Sequence, residues 1–422
     1  MINVELSNIW GCVSLPDLLS GEKDLFDAHL QLRNNQPEGP DFLSWLDAPE
    51  STMARTVMAI RNAARAMAGL GDTLVVIGTG GAVLAAQAGI RMLARRDLEG
   101  TVRVLFAGSS LSTRAYGSML QTLEGHDFCL LLLSGETVRL ECGVAARGVR
   151  WLMERRYGLE AAKRVFVCAP QGSSMHTMAQ EEGYTFLPAP SCLGAEESAL
   201  SPAALLPMAA AGIDPLAVLE GAENGYREYD LRAFENPAWM YAGARHALEI
   251  RGRQTEFFAV CDAKLLSFGK WWEDCFLRRS VRAGYGVTPA SVELPGAADT
   301  LDTIFSGQAA AFETLLRAKL PARRANIELD WKDYDELGFL SERTVGEVED
   351  AFLDAFCQQH ASMDAPLIIL EPERLSAESF GELLYFFELA ASLCAYADGL
   401  APFERDACRT TRALAERMLR RE

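Results

Sequence analysis

Residues 74–82 read Leu74-Val75-Val76-Ile77-Gly78-Thr79-Gly80-Gly81-Ala82, a short apolar run followed by a glycine turn, and an Ala/Leu-rich segment continues to residue 96. An uninterrupted apolar run predicts a strand buried on both faces, and the glycines predict a tight turn into a helix. The same order recurs downstream, with apolar runs at residues 102–107, 128–133, 164–169 and 184–188. Such strands separated by helices predict an α/β unit with a parallel sheet.

A second, weaker alternation follows this unit. Its predicted strands are residues 255–261, 290–294 and 367–370, and its predicted helices are residues 203–211, 215–232, 237–251, 264–277 and 308–320. Residues 378–400 and 407–419 have the apolar spacing of two further helices. The sequence therefore predicts two successive parallel-sheet α/β units followed by a helical tail.

The predicted organisation has four parts. Residues 1–50 form an N-terminal arm, residues 51–220 a first α/β domain, residues 221–375 a second α/β domain, and residues 376–422 the C-terminal helices. The arm is expected to be irregular because it carries Pro37, Pro40 and Pro49.

Composition excludes several classes of protein. The 422 residues include 40 basic and 58 acidic side chains, a net charge of −18, which argues against a surface for binding nucleic acid. The longest apolar run, residues 203–213, falls short of the roughly 18 residues that span a bilayer. The first residues have neither the basic nor the apolar region of an export signal. We therefore expect a soluble cytoplasmic protein that contacts no membrane.

The sequence predicts neither a metal nor a nucleotide cofactor. The ten cysteines are scattered without a C-x-x-C pair, which is typical of buried apolar residues in a reducing compartment. His126 with Cys129, and His360 with Cys357, are isolated pairs that lack further ligands for zinc. Val83 stands where the last glycine of a G-x-G-x-x-G dinucleotide motif would be.

Several segments, taken in order, resemble the glucose-6-phosphate isomerase family, the two-domain member of the sugar-isomerase (SIS) fold. Residues 78–82 resemble its G-x-G-G-S turn, and residues 205–214 resemble its L-L-P-x-x-x-x-G-I-D segment. Residues 235–241, 270–272, 289–292, 381–388 and 402–403 match in the same order. The resemblance covers residues 73–412. It implies two flavodoxin-like α/β/α domains with parallel sheets, and aldose–ketose isomerisation of glucose 6-phosphate and fructose 6-phosphate in glycolysis and gluconeogenesis.

The resemblance also implies a homodimer whose cleft borrows residues from the partner chain. The N-terminal arm carries Trp10, Phe26 and Trp45, apolar side chains that would be exposed on so acidic a monomer. We therefore expect them to serve as anchors in the dimer.

Other residue types occupy the positions to which the resemblance assigns catalytic roles. The family's glutamate base falls on Arg278, its ring-opening histidine on Ile304, its active-site arginine on Glu196 and its C-terminal lysine on Arg412. Isomerisation needs a base that moves a proton between C1 and C2. An arginine, with a pKa above about 12, cannot be that base at neutral pH, and isoleucine carries no proton.

The resemblance places sugar-phosphate binding at Gly80, Gly81, Ser134, Gly135 and Thr137. The family's phosphate loop has a lysine that is a leucine here, and Glu136 adds a charge that repels a dianion. Ser134 and Thr137 could equally cap a helix that begins near residue 138. Both interpretations stay open at this point.

Two functions from different classes therefore compete. One is an isomerase that uses altered residues, for which Glu197, Glu273 and Asp299 are the spare carboxylates. The other is a non-catalytic sugar-phosphate binder or structural partner that keeps the fold without the chemistry. The residues at the catalytic positions favour the second.

Glu196 and Arg278 carry charges opposite to those of the family at the same positions. If both face one cleft, we expect them to pair within about 4 Å, because the double exchange keeps the local charge unchanged. The alternative is that the two segments diverged independently and that both side chains face solvent.

Overall fold

Two five-stranded sheets, each covered by helices, organise the chain. The computed structural model describes residues 1–34, 50–94, 100–135, 137–189, 199–279, 286–307, 309–318, 325–328, 330–403 and 411–420. The strands are β1 (Ile2–Asn8), β2 (Thr73–Ile77), β3 (Arg103–Ala107), β4 (Phe128–Leu133), β5 (Val165–Pro170), β6 (Thr185–Ala189), β7 (Thr255–Val260), β8 (Thr288–Glu293), β9 (Ala311–Leu316) and β10 (Leu367–Pro372). The α-helices in the described residues are α1 (Leu15–Ser20), α2 (Glu22–Asn34), α3 (Glu50–Leu70), α4 (Gly81–Leu93), α5 (Thr113–Glu124), α6 (Leu140–Tyr157), α7 (Ser174–Glu182), α8 (Pro202–Ala210), α9 (Pro215–Glu228), α10 (Pro237–Ile250), α11 (Leu266–Arg279), α12 (Ala298–Ser306), α13 (Val345–Ser362), α14 (Ala377–Ala397) and α15 (Thr411–Arg420).

The first sheet confirms the predicted parallel unit. Its strand order is β3-β2-β4-β5-β6, and every neighbouring pair is parallel. Strands β2 and β4 are buried along their whole length, as their unalternated apolar sequences predict. Because all five strands run in one direction, the turns after β3, β2 and β4 lie side by side at one edge of the sheet.

The second sheet has the order β1-β10-β9-β7-β8. Strands β10, β9, β7 and β8 are parallel, whereas β1 is antiparallel to β10 at the sheet edge. The first strand of the chain thus belongs to the second sheet. The predicted boundary between residues 220 and 221 lies within α9, and the four-part division of the chain stays a prediction.

The prediction of an irregular N-terminal arm is wrong for residues 1–34. Ile2, Val4 and Leu6 are buried while Asn3 and Glu5 are exposed, which is the period-2 pattern of an edge strand with one covered face. Helices α1 and α2 follow that strand. The prolines that suggested irregular structure, at positions 37, 40 and 49, all lie outside the described residues.

The helix predicted over residues 308–320 is also wrong, because residues 311–316 form the central strand β9. This strand is buried along its whole length between β7 and β10. The sequence Ala-Ala-Ala-Phe before Glu313 favours a helix locally. The ladders on both sides override that preference, because a fully buried strand satisfies its backbone through two neighbours.

Helix α14 lies deep inside the described part of the protein. Among the described residues it alone is long and apolar enough to cross a membrane, but 83% of that apolar stretch is buried inside the protein. It packs against α9, α2, α10 and α11. Helix α14 is therefore the core element around which helices from both halves of the chain assemble.

Two glycines allow α9 and α14 to approach at backbone distance. A Cβ atom at Gly221 would overlap the backbone oxygen of Glu378, and a Cβ atom at Gly381 would overlap that of Val218. Neither glycine has a positive φ, so what the position requires is the missing side chain. Small residues at the contact are what permit such close packing of helix backbones.

We predict that Gly221→Ala destabilises the protein. The methyl group has no space and must push α9 from α14, which typically costs about 1–3 kcal/mol or more. The control is Gly117→Ala in α5, where a Cβ meets no atom within 4 Å. That variant should be neutral or gain up to about 1 kcal/mol through helix propensity. Urea unfolding of both variants checks this, and equal stabilities would contradict it.

His29 joins α2 to α10 inside the core. Its imidazole is fully buried, and its Nδ1 atom accepts a hydrogen bond from the indole Nε1–H of Trp239 at 2.9 Å. Burial lowers the pKa of His29 to about 4. The folded protein therefore holds this histidine neutral over a pH range in which the unfolded chain binds a proton.

Stability should fall in acid because of His29. A lowered histidine pKa gives stability that is complete above the unfolded pKa of about 6.5 and is lost as the pH falls toward 4. Between pH 7 and pH 5 the loss should be about 2 kcal/mol. In His29→Gln, whose amide oxygen can still accept from Trp239, this part of the pH dependence should disappear. Urea unfolding at both pH values checks this. An equal change in the free energy of unfolding between pH 7 and pH 5 in the two proteins would refute it.

Candidate functional site

Three turns at the carboxyl ends of β3, β2 and β4 form the candidate site. They are residues 108–112, residues 78–80, and residues 134–135 with 137–139, and each leads into a helix, α5, α4 or α6 respectively. Helix N-termini carry unpaired N–H groups and partial positive charge, which suits an anionic group. The substrate-binding residues that the resemblance assigned, Gly80, Gly81, Ser134, Gly135 and Thr137, all lie in or beside these turns.

Glycines permit the close packing of these turns. Gly80 has φ of 95° and precedes the first residue of α4, and Gly108 has φ of 91°. Both lie in the region that L side chains rarely adopt. At Gly78 a Cβ atom would come within 2.8 Å of the Leu133 Cβ atom, which joins the turn after β2 to the end of β4.

The turn after β4 is held by its own backbone rather than by a helix cap. The Ser134 hydroxyl donates to the carbonyl oxygens of Gly135 at 3.1 Å and of Thr137 at 3.4 Å. The residue that precedes α6 is Arg139, whose own side chain makes no cap hydrogen bond. The interpretation of Ser134 and Thr137 as helix caps is therefore wrong, and a phosphate-binding role stays a prediction.

One polar atom in these turns was missed by sequence reasoning. The Thr79 hydroxyl oxygen is buried and has no hydrogen-bond partner in the described protein. It lies in the predicted substrate turn, between Gly78 and Gly80. A cavity of about 330 Å³ lies beside the neighbouring turn and is lined in part by Ser109, Ser110 and Tyr116. Hydroxyl groups therefore line much of this edge of the sheet.

Arg412, on the C-terminal helix α15, also lies at this edge of the first sheet. Its Nε and Nη2 atoms lie 2.9 and 2.8 Å from the Oε1 atom of Glu141. Glu141 is buried in the first turn of α6, directly after the turn that follows β4. The position that the resemblance gives to a catalytic lysine thus holds an arginine bound to an internal carboxylate.

Arg278 and Ile304 lie on helices of the second half of the chain. The Arg278 Nε atom is 2.7 Å from Asp274 Oδ2, one turn earlier on α11. Ile304 is half-buried on α12. Helix α11 packs against α4, which brings it to the helix that begins at Gly81. Glu196 lies outside the described residues, so its pairing with Arg278 stays a prediction.

The spare carboxylates differ in how far they are engaged. Glu273 Oε1 accepts from the Ser291 N–H at 2.6 Å, from its hydroxyl at 2.5 Å and from Lys270 Nζ at 2.7 Å. Asp299 is exposed in the first turn of α12. Glu197 lies outside the described residues. Glu273 therefore fixes α11 to strand β8 rather than facing a substrate.

A buried ion pair next to Arg278 escaped sequence reasoning. Arg279 Nη2 lies 2.9 Å from Glu388 Oε2, and both side chains are buried. Burial raises the pKa of Glu388, while the Arg279 charge and a hydrogen bond from the backbone N–H of Ala199 oppose that rise. The pair ties α11 to α14 and to the chain just after residues 190–198, which include Glu196.

Three buried thiols are too weakly acidic to act as nucleophiles at neutral pH. Burial raises the pKa of Cys129, Cys168 and Cys275 to about 12 in each case. A thiol with so high a pKa is protonated at neutral pH and behaves as a small apolar residue. This agrees with the interpretation of the cysteines from sequence.

Comparison with known proteins identifies relatives over almost the whole chain. The glucose-6-phosphate isomerase of Clostridium tetani is 30% identical over 417 residues, which are 96% of this chain and 92% of the relative. The glucose-6-phosphate isomerase of Bacillus cytotoxicus is 31% identical over 389 residues, 90% and 86% of the two chains. No family model matches the chain.

Solved structures share the fold. A hypothetical protein of Thermus thermophilus superimposes with a TM-score of 0.87 at 19% identity, over 99% of this chain and 100% of that protein. A glucose-6-phosphate isomerase of Chlamydia trachomatis superimposes with a TM-score of 0.74 at 16% identity, over 88% and 75% of the two chains. These likenesses show the two-sheet sugar-isomerase architecture.

Because Arg279 belongs to a buried ion pair and Arg278 is partly exposed, we predict that replacing Arg279 lowers the free energy of unfolding much more than replacing Arg278. Arg279→Met should destabilise by about 3–5 kcal/mol, because it leaves the Glu388 carboxylate buried without its counter-charge. Arg279→Met combined with Glu388→Leu should recover most of that loss. Arg278→Met, which removes a half-exposed pair within one helix, should cost less than about 1 kcal/mol. Urea unfolding checks all three, and equal costs at positions 278 and 279 would contradict the prediction.

Proposed function

Because this chain belongs to the glucose-6-phosphate isomerase family, we propose that it is a glucose-6-phosphate isomerase-like protein that binds a sugar phosphate but has lost the isomerisation. The sugar phosphate would contact the turns that hold Gly80, Gly81, Ser134, Gly135 and Thr137. The lost reaction is the interconversion of glucose 6-phosphate and fructose 6-phosphate. A structural role on the same fold, without any sugar phosphate, is the second candidate.

One observation supports the proposed loss of activity most directly. The position that family resemblance gives to the catalytic base holds Arg278, whose guanidinium is bound by Asp274 at 2.7 Å. A guanidinium cannot accept a proton from a sugar carbon at neutral pH. Asp274 is not free to take the base's place, because its Oδ2 atom accepts from the Arg278 guanidinium.

The neighbouring charged groups are also engaged within the protein. Glu273 is held by Ser291 and Lys270, and Arg412 is held by Glu141. Ile304, at the ring-opening position, has no titratable group. Isomerisation needs a proton acceptor, a ring-opening acid and a cation for the enediolate. Among the described residues, each position assigned to these roles is occupied by a residue that is either inert or already paired.

Binding without chemistry is supported by the turns at the carboxyl edge. Their helix N-termini and hydroxyl groups favour a phosphate, and the unpartnered Thr79 hydroxyl is available as a further donor. We propose that the protein is cytoplasmic and acts as a homodimer. Trp10 and Phe26, which are 46% and 41% exposed, are the described apolar side chains offered for such an interface.

Isomerase activity should be absent or reduced by several orders of magnitude. Replacing a base or an acid costs about 10²–10⁴ each, and both positions are replaced at once. A coupled assay that converts fructose 6-phosphate to glucose 6-phosphate measures this. The variant Arg278→Glu with Ile304→His should show more turnover than the natural chain. A turnover number of ~1–10³ per second for the unaltered protein would overturn the proposal.

Sugar-phosphate binding is measured separately by thermal shift. Glucose 6-phosphate should raise the Tm, and Thr137→Val, which removes a hydroxyl from the turn after β4, should reduce that rise. The matched control is Thr122→Val near the C-terminal end of α5, at the opposite end of that helix from the turn after β3. No rise with any sugar phosphate, together with no turnover, would favour the structural role. An equal rise in both variants would place the ligand elsewhere.

A further inference from the structure

A cluster of three potential metal ligands lies outside the turns that form the candidate site. It consists of His246 and Glu249 on α10 and Asp398, the residue just after α14. One ligand atom from each residue lies within 4.8 Å of the other two. His246 and Glu249 are three positions apart, so they lie on one face of their helix. Two helices that meet in the core thus present an imidazole and two carboxylates to one point.

The Asp398 carboxylate is only half satisfied. Its Oδ1 atom lies 3.0 Å from His246 Nδ1, while its Oδ2 atom is buried and has no hydrogen-bond partner in the described protein. The whole side chain is only 11% exposed. A buried carboxylate oxygen without a partner is costly, and it needs a donor or a cation that the described side chains do not supply.

The charge around this cluster is negative. Glu249 and Asp398 are acidic, and Asp24 on α2 is close enough to His246 to influence it electrostatically. In the described part of the chain no lysine or arginine forms an ion pair with Glu249 or Asp398. The nearby Arg245 is fully buried and is already paired with Glu256, with its Nε atom 2.7 Å from Oε2. Arg245 and His246 offset part of the charge of Glu249, whose Oε1 atom also accepts from the Gly286 N–H, and a bound cation would balance the charge that remains.

The space also suits a single ion. Zinc bonds to nitrogen and oxygen are about 2.0–2.2 Å, so two ligands of one tetrahedral ion lie about 3.4 Å apart. The three ligand atoms lie within 4.8 Å of one another, so a bound ion would draw the most distant of them together by about 1.4 Å at most. The side chains are partly exposed, which leaves positions for water ligands.

A simple histidine–aspartate ion pair is the competing explanation, and the chain contains one for comparison. His126 Nδ1 lies 3.2 Å from Asp72 Oδ2. Their side chains are 35% and 62% exposed, and the described residues place no third ligand beside them. The two pairs share their geometry, but of these two only the His246 pair has a third carboxylate and a buried unpartnered oxygen.

We propose that His246, Glu249 and Asp398 bind one divalent transition-metal ion of the zinc or manganese class. An imidazole with two carboxylates favours such ions over magnesium or calcium, which prefer oxygen ligands alone. The ion clamps the end of α14 to α10, and water completes its coordination. This site is independent of the sugar-phosphate proposal. Sequence reasoning, which considered histidine–cysteine spacings, missed it because His246 and Asp398 are 152 positions apart.

The test uses the full chain, stripped with a chelator and then titrated with Zn²⁺ or Mn²⁺ by isothermal calorimetry. One ion per chain should bind with a Kd of about 1 µM or below for the better ion. At ~100 µM, a hundredfold excess over that Kd, the same ion should raise the Tm. Mg²⁺ at equal concentration should bind at least about tenfold more weakly.

Variants locate the ion. Asp398→Asn and Glu249→Gln should each weaken binding at least about tenfold, in line with the sensitivity of metal sites to single changes. The matched control, His126→Gln, should bind with unchanged affinity. If Asp398→Asn fails to fold, as judged by near-UV circular dichroism, the affinity of Glu249→Gln for the ion alone tests the location of the site. No stoichiometric binding of either ion, or binding with undiminished affinity in Glu249→Gln, would overturn the proposal.

Discussion

The contact between α9 and α14 is the constraint on which the rest of the fold depends. Gly221 and Gly381 let the two backbones touch, and no larger residue fits at either position. Helix α14 then packs on α2, α10 and α11, so the helices of the second sheet take their positions from it. Because α11 also packs on α4, the first sheet and its turns are fixed by the same core. A shift of α14 would therefore be felt at the candidate site.

Charges inside this core are arranged in pairs that join separate elements. Arg279 and Glu388 connect α11 to α14, and Arg245 and Glu256 connect α10 to β7. Such pairs contribute little net stability against apolar residues, but losing one partner is costly because a buried charge then remains alone. They therefore limit how the helices can repack. Asp398 differs from these two carboxylates, because its partner is a histidine, whose charge depends on pH, rather than an arginine.

Structural features that are encoded by neighbouring residues were easier to predict from the sequence than features that depend on contacts between distant residues. The uninterrupted apolar runs of β2 and β4 predicted buried parallel strands, because a strand covered on both faces needs no polar alternation. Ile2, Val4 and Leu6 alternate with polar residues as an edge strand does, and the prediction of an irregular arm, which rested on the prolines further along the chain, did not use that signal. Residues around Glu313 were misassigned because their helix propensity is local, whereas the ladders that make β9 a strand come from distant residues. The pairings of Arg279 with Glu388 and His246 with Asp398 have no local signal at all.

The same separation explains how a chain can keep a family's fold while its chemistry changes. Trp271 and Trp272 are buried on α11, and any change there would open a large cavity in the core. Arg278, on the same helix, has a side chain that is a third exposed and that pairs with its own helix. Selection for folding thus acts strongly on the tryptophans and weakly on position 278. An overall identity of about 30% therefore establishes the architecture without establishing the reaction.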